Sequence, residues 1–228
     1  AGPRSPLVLQ MVRIVGAVSR SGRLPKGAED RPDFQVAPSL QELKADFDAV
    51  IVATPNGLHH QAAVEAAELG RHVLTEKPLE TSVEAADMMI SACRRNNVRL
   101  GVAYQKRFRP DNIAMKKLVS EGRLGRIFAA NLSALFYRDD KYYASAAWRG
   151  TKAIDGGGPF IQQACHEIDI YAWLFGRPSR VAASLDTFAH DIEVEDYGSA
   201  ILRHQDGMIG TITASTVSWP GYMSTLAI

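Results

Sequence analysis

Glu76-Lys77-Pro78 sets a carboxylate, an amine and a proline at the end of a short apolar run, His72 to Thr75. Proline restricts the residue before it to extended backbone. Lys77 is therefore held at a strand tip and not wound into a helix. A lysine partly desolvated there would have a lowered pKa and could shuttle a proton. A surface ion pair between Lys77 and Glu76 is the plainer reading of the same residues. Upstream, Thr54-Pro55-Asn56-Gly57-Leu58-His59-His60 follows another apolar run, Ala49 to Ala53. Pro55 and Gly57 force the chain to turn there and leave a polar face. His59 or His60 begins the next helix, so a structural role at a helix end competes with ligand contact. Ser19-Arg20-Ser21 ends a third run, Val12 to Val18. In dinucleotide sites an acid near such a position takes the ribose hydroxyls, whereas an arginine accommodates a 2′-phosphate. Ser19 and Arg20 with no acid lean toward NADP over NAD; an exposed loop arginine is the alternative.

The second half carries another loaded stretch. Asp155-Gly156-Gly157-Gly158 runs into a helical pattern from about Pro159 to Phe175. Gln162, His166, Asp169 and Trp173 fall at helical spacing on one face, and Ile161, Cys165, Ile168 and Ala172 on a more apolar one. The glycine-rich entry permits close approach of a ligand, which favours a functional His166 over a structural one. No second His or Cys stands at metal-ligand spacing, so no metal is expected.

These residues need a scaffold that brings strand ends together. Apolar runs ended by turn signals alternate with helical patterns up to about Gln105, the βαβ rhythm of a doubly wound parallel sheet. Residues 21–38 read as loop, and Ser39 with Glu42 reads as a capping box for a short helix over "LQELKAD". "HHQAAVEAAELG" and "VEAADMMISACRRNN" read as helices, the second capped by Thr81 or Ser82. Beyond Asp111 to Glu121, another helix, long alternating strands dominate. Gln205-Asp206-Gly207 is a hairpin signal between two of them. The expected fold class is α/β: an incomplete Rossmann-like parallel sheet over residues 1–105, then an α+β domain with a mostly antiparallel open sheet over 106–228.

Composition narrows the function classes. The 228 residues are 46% hydrophobic and 22% charged, with formal net charge +1, which gives no footing for nucleic acid or acidic lipid as a partner. The basic doublets Arg94-Arg95 and Lys116-Lys117 lie in helical patterns and read as solvated faces. Cys93 and Cys165 read as reduced thiols of a cytoplasmic protein. No apolar run approaches the roughly 18 residues of a membrane span, and the N-terminus has no signal-peptide pattern.

The segments "AVIVATPNGLHHQAA", "GRHVLTEKPLETSVEAADMMI", "LGVAYQKRFRP", "EGRLGRI", "YYASAAWRGTKAIDGGG" and "HEIDIYAWLFG" occur in that order. Together they resemble the glucose–fructose oxidoreductase/inositol dehydrogenase/rhizopine-catabolism (Gfo/Idh/MocA) family of NAD(P)-dependent oxidoreductases, over nearly the whole chain. The resemblance implies a nicotinamide ring between a Rossmann domain and an open α/β domain, with a sugar or polyol as substrate. It matches Lys77 to the family's catalytic lysine and His166 to its acid/base histidine. Glu76 and Pro78 match residues that shape the nicotinamide end, and Thr54, Pro55, Asn56 and His59 the loop bordering the cofactor. Tyr104 and Arg107 match cofactor-facing positions. Trp148, Arg149, Gln162 and Asp169 match substrate-facing ones.

Two departures stand out. Gln162, four residues before His166, cannot ionise, so an Asp–His relay is not available and Lys77 with His166 would manage the proton. The G-x-G-x-x-G phosphate loop is absent. Ala1-Gly2 would be its last two positions and "SPLVLQMV" a shortened first helix. The expectation is a chain truncated at both ends, its parallel sheet lacking a central strand. The competing function is a non-catalytic ligand-sensing relative or an inactive fragment of the same fold. An exposed sheet face would suit a homo-oligomer of the complete protein.

Overall fold

A computed structural model describes residues 12–19, 31 and 34–228. Arg20 and the residues expected to form a shortened first helix, apart from Val12, lie outside the described part. The apolar runs of the first half become short parallel strands. Strands β1 (Gly16–Val18) and β2 (Gln35–Ala37) form one parallel pair. Strands β3 (Ala49–Val52), β4 (His72–Thr75) and β5 (Leu100–Val102) form a separate parallel sheet in that order.

Strand β2 falls inside the stretch expected to be loop. Its formation rests on the parallel ladder with β1, a non-local pairing that local turn residues do not reveal. The helix expected over "LQELKAD" does not form; bends and a turn occupy residues 38–45. The Ser39 hydroxyl donates to the Glu42 carboxylate at 2.9 Å and caps no backbone group. The Gln35 side chain accepts the Ala45 N–H at 2.9 Å. A stretch this short does not nucleate a helix by itself, and the neighbouring strand offers its backbone other partners.

Helices α1 (His59–Glu68) and α2 (Val83–Arg95) cover one face of the β3–β5 sheet. Their alanines come close: Ala63, Ala66, Ala67 and Ala92 are buried with Met89, Cys93, Val52 and Val73. Of the two expected caps of α2, Ser82 is the one used, its hydroxyl accepting from Ala85 N–H at 3.1 Å. Glu84 in the first turn and Arg94 and Arg95 in the last complement the helix dipole.

After a 3-10 turn, Gln105–Phe108, helix α3 (Pro110–Ser120) leads to the second sheet. That sheet contains β6 (Ala129–Leu135), β7 (Arg180–Asp186), β8 (Tyr197–Arg203), β9 (Ile209–Ser215) and β10 (Thr225–Ala227), in the order β10-β6-β9-β8-β7. Only β6 and β9 pair in parallel. The Gln205-Asp206-Gly207 turn joins β8 to β9, with Gly207 at φ 88°. A short helix, α4 (Asp140–Ala144), is capped by the Asp139 carboxylate, which accepts from Tyr142 N–H at 3.0 Å.

Helix α5 (Cys165–Phe175) packs Tyr171 into the sheet against Leu132, Leu202 and Ile212. It begins about six residues later than the sequence pattern suggests. Turns occupy 159–163 instead, so Gln162 precedes the helix and does not share a helical face with His166. The Gln162 carbonyl, which would accept from the helix backbone, takes Lys77 Nζ at 3.0 Å and Cys165 Sγ at 3.4 Å. The opposite sheet face is open. On it Thr211 Oγ1 donates to Asn131 Oδ1 at 2.8 Å, Ser199 and Thr213 hydroxyls meet at 3.0 Å, and Ile201 is 60% exposed. Among the described residues, no helix is long and apolar enough to cross a membrane.

Met89 is fully buried at the α1–α2 contact. Met89→Ala is expected to cost about 2–5 kcal/mol, and Ser82→Ala, which removes only a cap, about 1 kcal/mol. Urea unfolding of the two variants checks the ranking; a reversed order would contradict this packing.

Candidate active site

A cavity of about 520 Å³ opens where the carboxyl ends of β3 and β4 meet the second half of the chain. Ligand sites of parallel α/β sheets lie beyond these strand ends, and the volume lies in the range of small-molecule sites. From the first half come Thr54, Pro55, Asn56, His59, Glu76 and Lys77. The second half supplies Phe136, Arg138, Tyr142, Trp148, Arg149, Gln162, Gln163 and His166. Of the residues singled out by sequence, Lys77, His166, Thr54, Pro55, Asn56, His59, Glu76, Trp148, Arg149 and Gln162 are thus brought together.

The loop after β3 is held by backbone carbonyls. His59 is fully buried; its Nε2 lies 2.9 Å from the Thr54 carbonyl oxygen and its Nδ1 3.0 Å from that of Pro78. One imidazole thereby ties the β3 end to the β4 end. His60 lies 2.6 Å from Glu80 through Nδ1. Burial raises the Glu80 carboxyl, but bonds from His60 and the Thr81 N–H outweigh it and leave the group below its ordinary value. Both histidines thus meet protein, and His59 also borders the cavity.

Lys77 follows β4 and donates from Nζ to the Gln162 carbonyl at 3.0 Å. Glu76 accepts the Lys77 backbone N–H at 3.2 Å, and the two side chains form no ion pair among the described residues. Pro78 is buried next to this segment, and the Lys77–Pro78 peptide bond is cis. An ammonium carries three donors; one goes to the Gln162 carbonyl, and the Cys165 sulfur is a second neighbour, which leaves a donor for a ligand.

The seam between the halves centres on Asp155. Asn56 Nδ2 donates to the Asp155 carbonyl at 3.1 Å, Gln162 Nε2 to the same oxygen at 2.6 Å, and Gly57 N–H to the Ile154 carbonyl at 2.9 Å. The Asp155 carboxylate accepts Gly150 N–H at 2.7 Å. Burial raises its pKa, opposed by that N–H and by the charges of Arg149 and Lys77. Chain packing by itself leaves no room for side chains at two of these glycines. A Cβ on Gly156 would lie 2.5 Å from Thr81 Cγ2, and one on Gly158 1.7 Å from the Glu195 carbonyl oxygen.

His166 stands in the first turn of α5 with Tyr104 edge-on at 5.8 Å. Burial lowers its pKa from 6.5, and the charges of Lys77 and Lys106 lower it further. Tyr104 is pushed up to about 12, chiefly by burial, and stays a neutral phenol. Arg107 and Asp169 form a two-pronged pair with each other, at 2.7 and 2.5 Å, beside the Lys106–Glu167 pair. Their charges are spent joining the 3-10 turn to α5, and neither lines the cavity. Tyr104 and Pro78 do not line the cavity but touch His166 and His59, which do. Ser19 follows β1, where its N–H donates to the Ala37 carbonyl at 2.9 Å, and Arg20 lies outside the described residues.

Sequence reasoning did not find Asp155, Arg138, Tyr142 or Gln163. Asp155 was hidden inside a motif read for its glycines. Arg138 ends a strand pattern with no turn or helix signal of its own. Buried polar atoms without partners cluster here: Arg138 Nε, Arg149 Nε, Gln163 Oε1 and His166 Nδ1 all belong to the cavity wall. Buried polar groups are normally satisfied, so this cluster makes the cavity wall a candidate ligand site. Among the described residues, no group of three or more His, Cys, Asp or Glu is placed to hold a metal.

Comparison with known proteins agrees with this architecture. Residues 6–104 match the oxidoreductase family with an NAD-binding Rossmann fold, and residues 113–228 the GFO/IDH/MocA C-terminal domain. The NADP-dependent scyllo-inositol 2-dehydrogenase IolW of Bacillus subtilis is 33% identical over 170 residues, 74% of this chain and 46% of that protein. Levoglucosan dehydrogenase of Pseudarthrobacter phenanthrenivorans is 30% identical over 193 residues, 75% of this chain and 50% of that protein. The crystal structure of the WlbA dehydrogenase from Bordetella pertussis, in complex with NADH and UDP-GlcNAcA, superposes with a TM-score of 0.80 at 37% identity. That match covers 85% of this chain and 57% of the other. The chain spans about half the length of the curated relatives it matches.

The depressed pKa of His166 gives a direct test. Its imidazole is expected to titrate below 6.5 by NMR, and Lys77→Met to raise the midpoint by removing a positive charge. The folded value lies below the unfolded one, so the unfolded chain binds more protons between them and stability falls as pH drops through that window. A midpoint at or above 6.5 in the unmodified protein would contradict the burial of this ring.

Proposed function

The chain belongs to the Gfo/Idh/MocA oxidoreductase family, and on that footing we propose that it serves an NAD(P)-dependent enzyme that moves a hydride between nicotinamide and a sugar or polyol carbon. The observation that carries this reading is the convergence of Lys77 and His166 on one cavity at the ends of β3 and β4. Relatives dehydrogenate inositol and levoglucosan, and the cavity offers the aromatic rings of Phe136, Tyr142 and Trp148 that suit sugar faces.

The residues fit a nicotinamide cofactor. The strand-end loop 54–56 and Glu76 supply the wall on the parallel-sheet side, and His166 Nδ1 is a buried atom without a partner on the opposite wall. Bound nicotinamide would supply or accept the hydride at the ring. Every proton movement would fall to the chain. Lys77 is held by the Gln162 carbonyl so that a remaining N–H bonds the reacting oxygen. In reduction the ammonium gives a proton to that oxygen as the hydride reaches carbon; in oxidation the neutral amine takes the hydroxyl proton. His166, kept neutral near pH 7 by burial, exchanges that proton with Lys77 or the substrate. The Gln162 amide is committed to Asp155 at 2.6 Å and orients without titrating.

We assign the NADP preference to Arg20 with Ser19, and association between copies of this chain to the open face of the β6–β10 sheet. Competing titrations with NADPH and NADH test the first, and light scattering the second.

Lys77→Ala is expected to lower kcat by about 10²–10⁴-fold, the usual contribution of a positioned acid/base, while NADPH binding persists. Unchanged turnover would remove Lys77 from the chemistry.

A further inference from the structure

Arg138 and Arg149 come from different elements, yet both lie over the ring of Tyr142, with Cζ at 5.1 and 4.4 Å from its centroid. Neither guanidinium forms an ion pair among the described residues, whereas Arg107 and Arg109 each have a carboxylate partner. Their remaining bonds are few and neutral. Arg138 Nη1 donates to the Tyr137 carbonyl at 2.9 Å, and Arg149 Nη1 to the Tyr142 hydroxyl at 2.8 Å. The Nε of each is buried with no acceptor. Two like charges around one ring repel, a repulsion the Asp155 carboxylate offsets only in part through its interaction with Arg149, and desolvated N–H groups without acceptors add to the cost.

The arrangement is braced from behind. Arg138 N–H donates to the Thr216 carbonyl at 2.7 Å, and its own carbonyl lies 2.9 Å from His190 Nε2. His190 in turn lies 3.1 Å from the fully buried Asp196 through Nδ1. Asp196 also accepts the backbone N–H groups of Phe188, Ala189 and His190 at 2.8, 2.9 and 3.1 Å. This lattice fixes the Arg138 backbone, and among the described residues its carboxylate, Asp196, forms no ion pair with the Arg138 guanidinium. The Tyr142 hydroxyl accepts from Arg149 and from Gln163 Nε2 at 3.2 Å, which leaves its own proton for a further acceptor. Two guanidiniums and a phenolic donor on one wall form the fork chemistry that recognises a carboxylate or phosphate.

We propose that Arg138 and Arg149 are specificity-determining residues for an anionic sugar, whose carboxylate or phosphate sits against Tyr142 while its reacting carbon faces Lys77. The inference rests on the sugar oxidoreductase reading of this cavity and narrows its substrate class. The anion relieves the repulsion between the arginines and gives both guanidiniums a counter-charge.

The test compares D-glucuronate, D-glucose 6-phosphate and D-glucose as probes, by kcat/KM with NADP and by quenching of tryptophan fluorescence, to which Trp148 in the cavity wall contributes. At least one anionic sugar is expected to exceed glucose by about tenfold or more, the scale of one charge-assisted contact. Arg138→Met and Arg149→Met are expected to shrink that ratio about tenfold, and Arg149→Lys to restore part of it. Preference for glucuronate assigns a carboxylate, and preference for glucose 6-phosphate a phosphate. Equal kcat/KM for all three, or ratios unchanged in both Met variants, overturns the proposal and leaves the oxidoreductase reading standing. If no sugar is turned over, that reading fails, and the quenching alone decides: tighter saturable binding of an anionic sugar upholds the arginine assignment, and its absence overturns it.

Discussion

The two halves of this protein are held to one another at Asp155. Its carbonyl collects an amide from the β3 loop and an amide from the segment before α5, and its carboxylate anchors Gly150. Asn56, Gln162 and Lys77 take their positions from this seam. Asn56 sits on the parallel-sheet side of it, Gln162 on the other, and the Gln162 carbonyl then receives Lys77. The lysine is aimed by a chain of ordinary amide hydrogen bonds, with no carboxylate partner to neutralise it. A salt bridge would have held Lys77 as firmly but taken its charge out of the chemistry.

Electrostatic roles divide cleanly along the wall. Charged residues with structural duties are paired: Arg107 with Asp169, Lys106 with Glu167, Glu80 with His60. Lys77, Arg138 and Arg149, the cations facing the cavity, are not paired with carboxylates among the described residues, and burial and cationic neighbours lower the His166 pKa. The part-buried ion pairs near the cavity join elements, and unpaired polarity lies where a ligand would sit.

Local patterns made much of this legible in the sequence. Short apolar runs ended by turn residues gave β3, β4 and β5, and the strand end gave Lys77 its position. Ser82 and Gly207 announced a helix start and a hairpin through backbone rules that operate over a few residues. What escaped has a common cause. Strand β2, the late start of α5, the seam at Asp155 and the cavity-facing Arg138 all depend on partners distant in sequence. Asn56 and Asp155 stand 99 residues apart, and Lys77 and Gln162 stand 85 apart. The glycines of 156–158 show the limit most clearly. Their small size was readable, but whether they make room for a ligand or for Thr81 and Glu195 was not. The "LQELKAD" stretch shows the reverse error, a helix signal overridden once Gln35 supplied a side-chain acceptor.

The hydroxyl and amide groups on the open face of the second sheet satisfy each other across strands, Thr211 with Asn131 and Ser199 with Thr213. Such a face gives up few hydrogen bonds to water when it is dried, because its polar groups already hold partners within the protein. Its polar side chains therefore overstate its attachment to solvent.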